Sequence, residues 1–170
     1  PTIDSGTRTE VHLSLGGVWQ GLLLLHDPLR QEAQQTVREL KKLGLDLVLL
    51  TGDRPETAQQ VSENLAMPDY QANMSPADKT AWIETRQEDN HTVMMVGDGI
   101  NDAPALSLAD VGCAMAGGTD IALETSDLVL TRPNLESLHI AIFIARKAMQ
   151  VIKQNLFWAF SYNLVTIPLA

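Results

Sequence analysis

Short apolar runs alternate along this chain with longer segments in which apolar residues recur at every third or fourth position. The runs predict strands and the periodic segments predict helices. In order they give a strand over 17–25 and a helix over 31–43, a strand over 45–50 and a helix over 55–65, then a brief strand near Tyr70 and a helix over 75–87. A strand over 92–96 leads to a helix over 103–109, one over 111–115 to a short helix over 120–125, and one over 128–130 to a long helix from 134. Repeated strand-then-helix order predicts an α/β fold with a parallel, doubly wound sheet. Residues 1–8 are polar and have no core of their own, so 1–15 is expected to be the tail end of a preceding region.

Several helix boundaries carry chemical signals. Pro55 sits in the first turn of its helix, with Ala58, Val61 and Leu65 on one face. Ser75 is the expected N-cap of the next helix, with Pro76 at its first position and Asp78 closing a capping box. In the last helix Leu138, Ile142, Ala145 and Met149 fall at helical spacing, with Arg146 and Lys147 on the polar side. The pattern then changes to an uncharged stretch over 156–170, shorter than the about 20 residues a membrane-spanning helix needs. Arg146, Lys147 and Lys153 precede it, as positive charge precedes a span on its cytoplasmic side. An apolar helix packed on the domain's own sheet is the competing reading, and the apolar residues on all its sides argue against it.

The densest chemistry lies in Met94-Met95-Val96-Gly97-Asp98-Gly99-Ile100-Asn101-Asp102-Ala103-Pro104-Ala105-Leu106. A strand ends and a helix begins here, at the edge where open α/β sheets bind ligands. Gly97 and Gly99 are expected to take positive φ and let the backbone approach an oxyanion. Asp98 and Asp102 offer the hard oxygens that Mg²⁺ prefers, and Asn101 adds an amide. As a lone tripeptide the same residues would serve as turn formers. Thr51-Gly52-Asp53 directly follows another strand and places a hydroxyl and a backbone N–H at its carboxyl end, where such groups can hold phosphate oxygens. Alone it is also a common turn. Lys79 lies in the first turn of a helix, where the dipole favours anions. That placement favours neutralisation of phosphoryl charge over a solvated surface lysine once the other motifs are counted.

The Val-Gly-Asp-Gly-Ile-Asn-Asp-Ala-Pro-Ala-Leu run resembles the hinge motif of P-type cation-transporting ATPases, whose phosphorylation domain is haloacid dehalogenase-like and Rossmann-type. Asp27-Pro28-Leu29-Arg30, Thr51-Gly52-Asp53 and Pro76-Ala77-Asp78-Lys79 follow the family's order, and the resemblance covers about residues 16–170. It implies that Asp98 coordinates Mg²⁺, with Asp102 orienting the site and possible as a second Mg²⁺ ligand. It also implies that Asn101 and Thr51 contact the transferred phosphoryl group, that Lys79 balances its charge, and that Asp53, beside Gly52, sits near ATP. Asp27 and Arg30 would have a structural or hinge role. The family's phosphorylated Asp-Lys-Thr-Gly-Thr does not occur in the 170 residues; the one Asp-Lys pair, Asp78-Lys79, continues as Thr80-Ala81.

Lys153-Gln154-Asn155-Leu156 followed by Tyr162-Asn163 and Pro168 resembles a membrane helix of the copper(I)-exporting branch. By that resemblance Tyr162 and Asn163 contact the transported ion, Cu⁺ or Ag⁺. The implied organisation is the carboxyl part of a phosphorylation domain over 16–150 and the start of a transmembrane helix over 151–170. The implied partners are nucleotide-binding, actuator and membrane domains of a longer transporter, together with membrane lipid. The implied location is an integral membrane protein with this domain on the cytoplasmic side. Two alternatives remain: a soluble haloacid dehalogenase-like phosphatase, which would need its own aspartate nucleophile, and a non-catalytic regulatory module of the same fold.

Composition narrows the classes. A chain of 170 residues with 45% apolar and 19% charged residues can bury a core. A net charge of −9 argues against nucleic acid as a partner. The single cysteine, Cys113, lies between apolar neighbours on a predicted strand and is expected to fill the core. His12, His26, His91 and His139 lack metal-ligand spacing to one another. Gly117-Gly118-Thr119-Asp120 is expected to be a tight turn rather than a phosphate grip.

Overall fold

The computed structural model describes residues 9–25, 28–132 and 134–169; Asp27, paired with Arg30 in the sequence reading, lies outside them. The chain opens with a hairpin of β1 (Thr9–Leu15) and β2 (Val18–Leu25), paired antiparallel. Gly16 and Gly17 form its turn with φ of 59° and 79°, the left-handed pair that a two-residue hairpin turn demands. The strand expected from residue 17 therefore starts at Val18. Residues 9–15, expected to be part of a leading tail, are its partner strand: Val11, Leu13 and Leu15 alternate with His12 and Ser14 at the period of two that a strand requires.

Beyond the hairpin the described strands are parallel. The elements run α1 (Ala33–Lys42), β3 (Val48–Leu50), α2 (Pro55–Leu65), β4 (Asp69–Gln71), α3 (Pro76–Glu88) and β5 (Met94–Gly97). They continue through a 3₁₀ turn (Ile100–Asp102) to α4 (Ala103–Leu108), β6 (Val111–Ala114), α5 (Asp120–Glu124), β7 (Leu128–Val129) and α6 (Glu136–Leu169). β3 pairs with β4, and β5, β6 and β7 pair in that order.

The doubly wound character is visible in which residue faces which helix. On β5, Met95 packs with Trp82 and Ile83 of α3 and with Ala105 and Leu106 of α4. Its neighbours Met94 and Val96 pack on the other side with Leu40 of α1 and Leu138 of α6. The alternation follows from the two-residue repeat of a strand covered on both faces. Ala33 and Val37 of α1 meet Val61 and Leu65 of α2 over Leu47 and Leu49. Cys113 is fully buried, and burial pushes its thiol up to about 11, so it stays protonated as core filler.

Gly112 of β6 faces α4 at a spacing no side chain fits: an added Cβ would lie 2.3 Å from the Leu106 carbonyl oxygen and 3.0 Å from its carbon. Both atoms are backbone, so relief requires moving α4 off the sheet. Gly112→Ala is expected to cost about 1–3 kcal/mol, which lowers the melting midpoint by roughly 2–12 °C. A thermal melt that stays within 1 °C of the parent's would contradict this packing.

α6 continues without interruption through position 150, the expected end of the phosphorylation domain, and on through the uncharged stretch that begins at Leu156. Its first turns are held by buried Leu138 and by Ile142 on the core, and the Arg146 guanidinium donates to the Leu43 carbonyl oxygen at the end of α1. Farther along, Leu156, Phe157, Trp158, Phe160, Leu164 and Ile167 are exposed. No helix among the described residues is long and apolar enough to cross a membrane.

Candidate functional site

Strand β5 delivers Gly97 to the carboxyl edge of the sheet, and the 3₁₀ turn carries the chain from there into α4. Asp102 occupies the N-cap position of α4 but makes no capping bond with its side chain. Its carboxylate points instead to α3, where Lys79 Nζ donates to Asp102 Oδ1 at 2.7 Å. Both side chains are mostly covered, 14% and 16% exposed, so solvent screens this pair far less than a surface one. The cation that was out of place for its own helix is thus matched by an anion from another.

Asp102 also explains Gly97. The expectation of positive φ at Gly97 and Gly99 is not met; among the described glycines that region is taken by Gly16, Gly17, Gly44 and Gly117. What Gly97 provides is space. A Cβ there would sit 2.8 Å from both Cβ and Oδ2 of Asp102. The glycine is needed so that the Asp102 side chain can lie across the strand end and meet Lys79.

Asp98 and Asn101 are exposed at the same edge. The backbone around Asp98 is fixed from the loop after β6, whose Gly117-Gly118-Thr119-Asp120 sequence predicts a tight turn. Met115 N–H donates to the Gly97 carbonyl at 2.9 Å, and Thr119 N–H donates to the Asp98 carbonyl at 3.1 Å. The loop between them is a tight turn, as expected, with Gly117 at φ 81° and Gly118 N–H bonded to the Met115 carbonyl at 3.0 Å. Its contact with the Asp98 loop was not foreseen. No local pattern announces a loop–loop hydrogen bond across 21 positions.

At the end of β3, Thr51 and Asp53 close on each other. The Thr51 hydroxyl donates to Asp53 Oδ2 at 2.8 Å and accepts from Asp53 N–H at 3.1 Å. Thr51 N–H is bonded to the Gln71 carbonyl at 3.0 Å, so that backbone donor is occupied. The segment is stitched to the loop before α3 by Met74 N–H to the Thr51 carbonyl at 3.0 Å and Asn73 N–H to the Asp53 carbonyl at 2.7 Å. Gly52 packs close to the same loop, a Cβ there falling 3.3 Å from the Met74 carbonyl oxygen.

That loop leads into the capping box of α3. Asp78 N–H donates to Ser75 Oγ at 3.2 Å, and Ser75 N–H donates to Asp78 Oδ2 at 2.8 Å. The Ser75 hydroxyl and backbone N–H hold the Asp78 carboxyl below its ordinary value. A lowered carboxyl contributes stability above its unfolded pKa and loses it as pH falls through the folded one. The cap fixes the first turn of α3, and with it Lys79.

The structure therefore joins Lys79 and Asp102 directly, places Asp98 and Asn101 beside them in the same loop and turn, and links Thr51, Gly52 and Asp53 to them through residues 73–75. Tyr162 and Asn163 are not in this group; both are exposed on the distal part of α6. Among the described residues no cluster of three or more His, Cys, Asp or Glu side chains is placed to hold a metal ion.

The haloacid dehalogenase-like hydrolase family matches the chain in two overlapping stretches, residues 5–110 and 80–142. A cation-transporting ATPase of Oryza sativa subsp. japonica is 44% identical over 99% of this chain and 17% of its own length. A copper-exporting P-type ATPase of Bacillus subtilis is 41% identical over 99% of this chain and 21% of its own. The chain thus spans about a fifth of these curated relatives. Among solved structures, a zinc-transporting PIB-type ATPase in its E2.Pi state superposes with a TM-score of 0.77 at 39% identity, over 89% of this chain and 25% of that one. The catalytic domain of the CPx-ATPase CopB-B aligns with a TM-score of 0.63 at 34% identity, over 73% of this chain and 48% of that one. With parallel strands covered on both faces, an aspartate loop at their carboxyl edge and these matches, the chain belongs to the haloacid dehalogenase-like hydrolase family.

Proposed function

We propose that the chain is the carboxyl part of the phosphorylation domain of an ATP-driven heavy-metal transporter that works through an aspartyl phosphate. The observation that carries this reading is the covered Lys79–Asp102 pair beside the exposed Asp98. A cation held at a fixed position next to a free carboxylate suits a site where phosphoryl charge is neutralised, because phosphoryl transfer depends mainly on positioning and electrostatics. The attacking carboxylate would come from a segment outside these residues. Thr51 and Asn101 would contact the phosphoryl oxygens, Thr51 after releasing Asp53, which would then turn toward the nucleotide.

The residues fit Mg²⁺ in one respect: Asp98 offers an exposed carboxylate, while Oδ1 of Asp102 is engaged by Lys79. Mg²⁺ commonly takes one or two carboxylates and completes its shell with water and substrate phosphate. Asp98 would hold the ion, whose chemistry is to offset charge on the phosphoryl oxygens. Asp102 would act as the anchor of Lys79.

The transported substrate in this reading is Cu⁺, or Ag⁺. Support comes from Tyr162 and Asn163 within the uncharged part of α6, which would enter the membrane as part of a longer helical bundle. The oxygen and amide groups shape the site, and the soft ligands that select a monovalent ion would come from elsewhere in the transporter. The full-length protein is expected to form a hydroxylamine-sensitive phosphoenzyme from γ-labelled ATP with Mg²⁺ and Cu⁺, and the 170-residue chain alone to form none. Tyr162→Phe and Asn163→Ala are expected to weaken copper stimulation and to leave phosphorylation by inorganic phosphate intact. Stimulation by Zn²⁺ and not Cu⁺ would overturn the copper assignment, and stable label on the isolated chain would overturn the assignment of the nucleophile.

A further inference from the structure

We infer that Gly118 and the Thr119 backbone N–H are positioning residues for Asp98, holding its loop at the geometry in which the carboxylate meets a divalent cation. The inference rests on the proposed phosphoryl-transfer reading and adds a second loop to the site.

Two features separate this contact from an ordinary turn. A Cβ on Gly118 would lie 2.8 Å from the Asp98 carbonyl oxygen and 3.0 Å from that of Met115, both backbone atoms that no side-chain rotation can clear. The loop therefore lies against the backbone of residue 98 itself. Thr119 N–H then donates to that same carbonyl at 3.1 Å, while Met115 N–H holds the preceding one, of Gly97, at 2.9 Å. Consecutive carbonyls of the Asp98 loop are thus fixed by two donors from the segment after β6. Thr119 also starts α5, since Leu123 N–H donates to its carbonyl at 3.0 Å, so the donor is rooted in a helix.

The consequence is mechanical. The Asp98 carboxylate is exposed, and Lys79 is bonded to Asp102 in the same short segment. The position of the free carboxylate is set by its backbone, which the 115–119 loop holds from one side and the Gly97–Asp102 contact from the other. Groups that orient a metal ligand without touching the metal typically contribute 10–100-fold to affinity or activity when lost.

The test uses the full-length protein with Gly118→Ala, which pushes on the Asp98 carbonyl, and Thr119→Pro, which deletes its donor while keeping Gly118. Thr119→Ser keeps the N–H and serves as the control. Mn²⁺ binding, followed by the electron paramagnetic resonance of the free ion, is expected to weaken about 10–100-fold in the first two variants and to stay unchanged in the control. The Mg²⁺ concentration for half-maximal phosphorylation should rise by the same factor, with KM for ATP unchanged. If Gly118→Ala does not fold, Thr119→Pro decides. Mn²⁺ affinity within twofold of the parent in a folded variant overturns the inference. A parent that binds Mn²⁺ but forms no phosphoenzyme overturns the functional reading instead, and the Mn²⁺ comparison still tests the bracing.

Discussion

Asp98→Asn in the full-length protein is expected to lower phosphoenzyme formation by about 10²-fold or more, with little change in melting temperature. The two halves of that expectation have different origins. Asp98 is exposed, and the contacts that fix it run through its backbone carbonyl, which the substitution retains. An amide of nearly the same shape therefore leaves the loop in place. The charge is another matter, because a neutral amide is a much poorer partner for a hard divalent ion than a carboxylate. Phosphorylation from ATP and from inorganic phosphate, measured across a Mg²⁺ titration, separates the cases. Unchanged Mg²⁺ dependence in the variant would remove Asp98 from the metal site.

Lys79→Met should damage both stability and chemistry. Removing one member of a covered ion pair strands the other, at a cost of about 3 kcal/mol or more when the pair is well buried. With Asp102 only 16% exposed, water can compensate its charge in part, which favours the lower end of that range. Phosphorylation is expected to fall on the order of 10²-fold, as when a charge-stabilising group is lost from a reaction site. The double substitution Lys79→Met with Asp102→Leu distinguishes the two effects. An apolar pair of similar volume often matches a buried ion pair in stability, so melting should recover while phosphorylation should not. Recovery of both would mean that the pair only holds α3 against the strand edge. Recovery of neither would mean that Asp102 has further contacts that leucine cannot replace.

The transported metal is where the relatives divide. The Bacillus subtilis relative is copper-exporting, and the PIB-type ATPase of similar fold is zinc-transporting. In the proposed reading the phosphoryl site need not register which ion is carried. In the same reading Tyr162 and Asn163, on the distal part of α6, are where ion choice would be expressed, and their substitution probes it apart from the phosphoryl site.

Much of the fold was determined by sequence alone, because its signals are local. The strand and helix order followed from short apolar runs and from apolar residues recurring at the helical period, and α2 begins at Pro55 and ends at Leu65 as its pattern requires. The capping box of Ser75 and Asp78 formed as its spacing dictates. The aspartate loop was placed at the end of a strand, with Asp98 and Asn101 exposed there. What required tertiary structure was every relation between loops distant in sequence. Gly97 is there to admit Asp102, Lys79 is there to meet it, and Gly118 is there to let a second loop reach the Asp98 carbonyl. The hairpin strand over 9–15 likewise gained its meaning only from its partner across Gly16 and Gly17. Periodicity records which face of an element is covered; it carries no information about which loops the packing brings into contact, and that is where the candidate site is built.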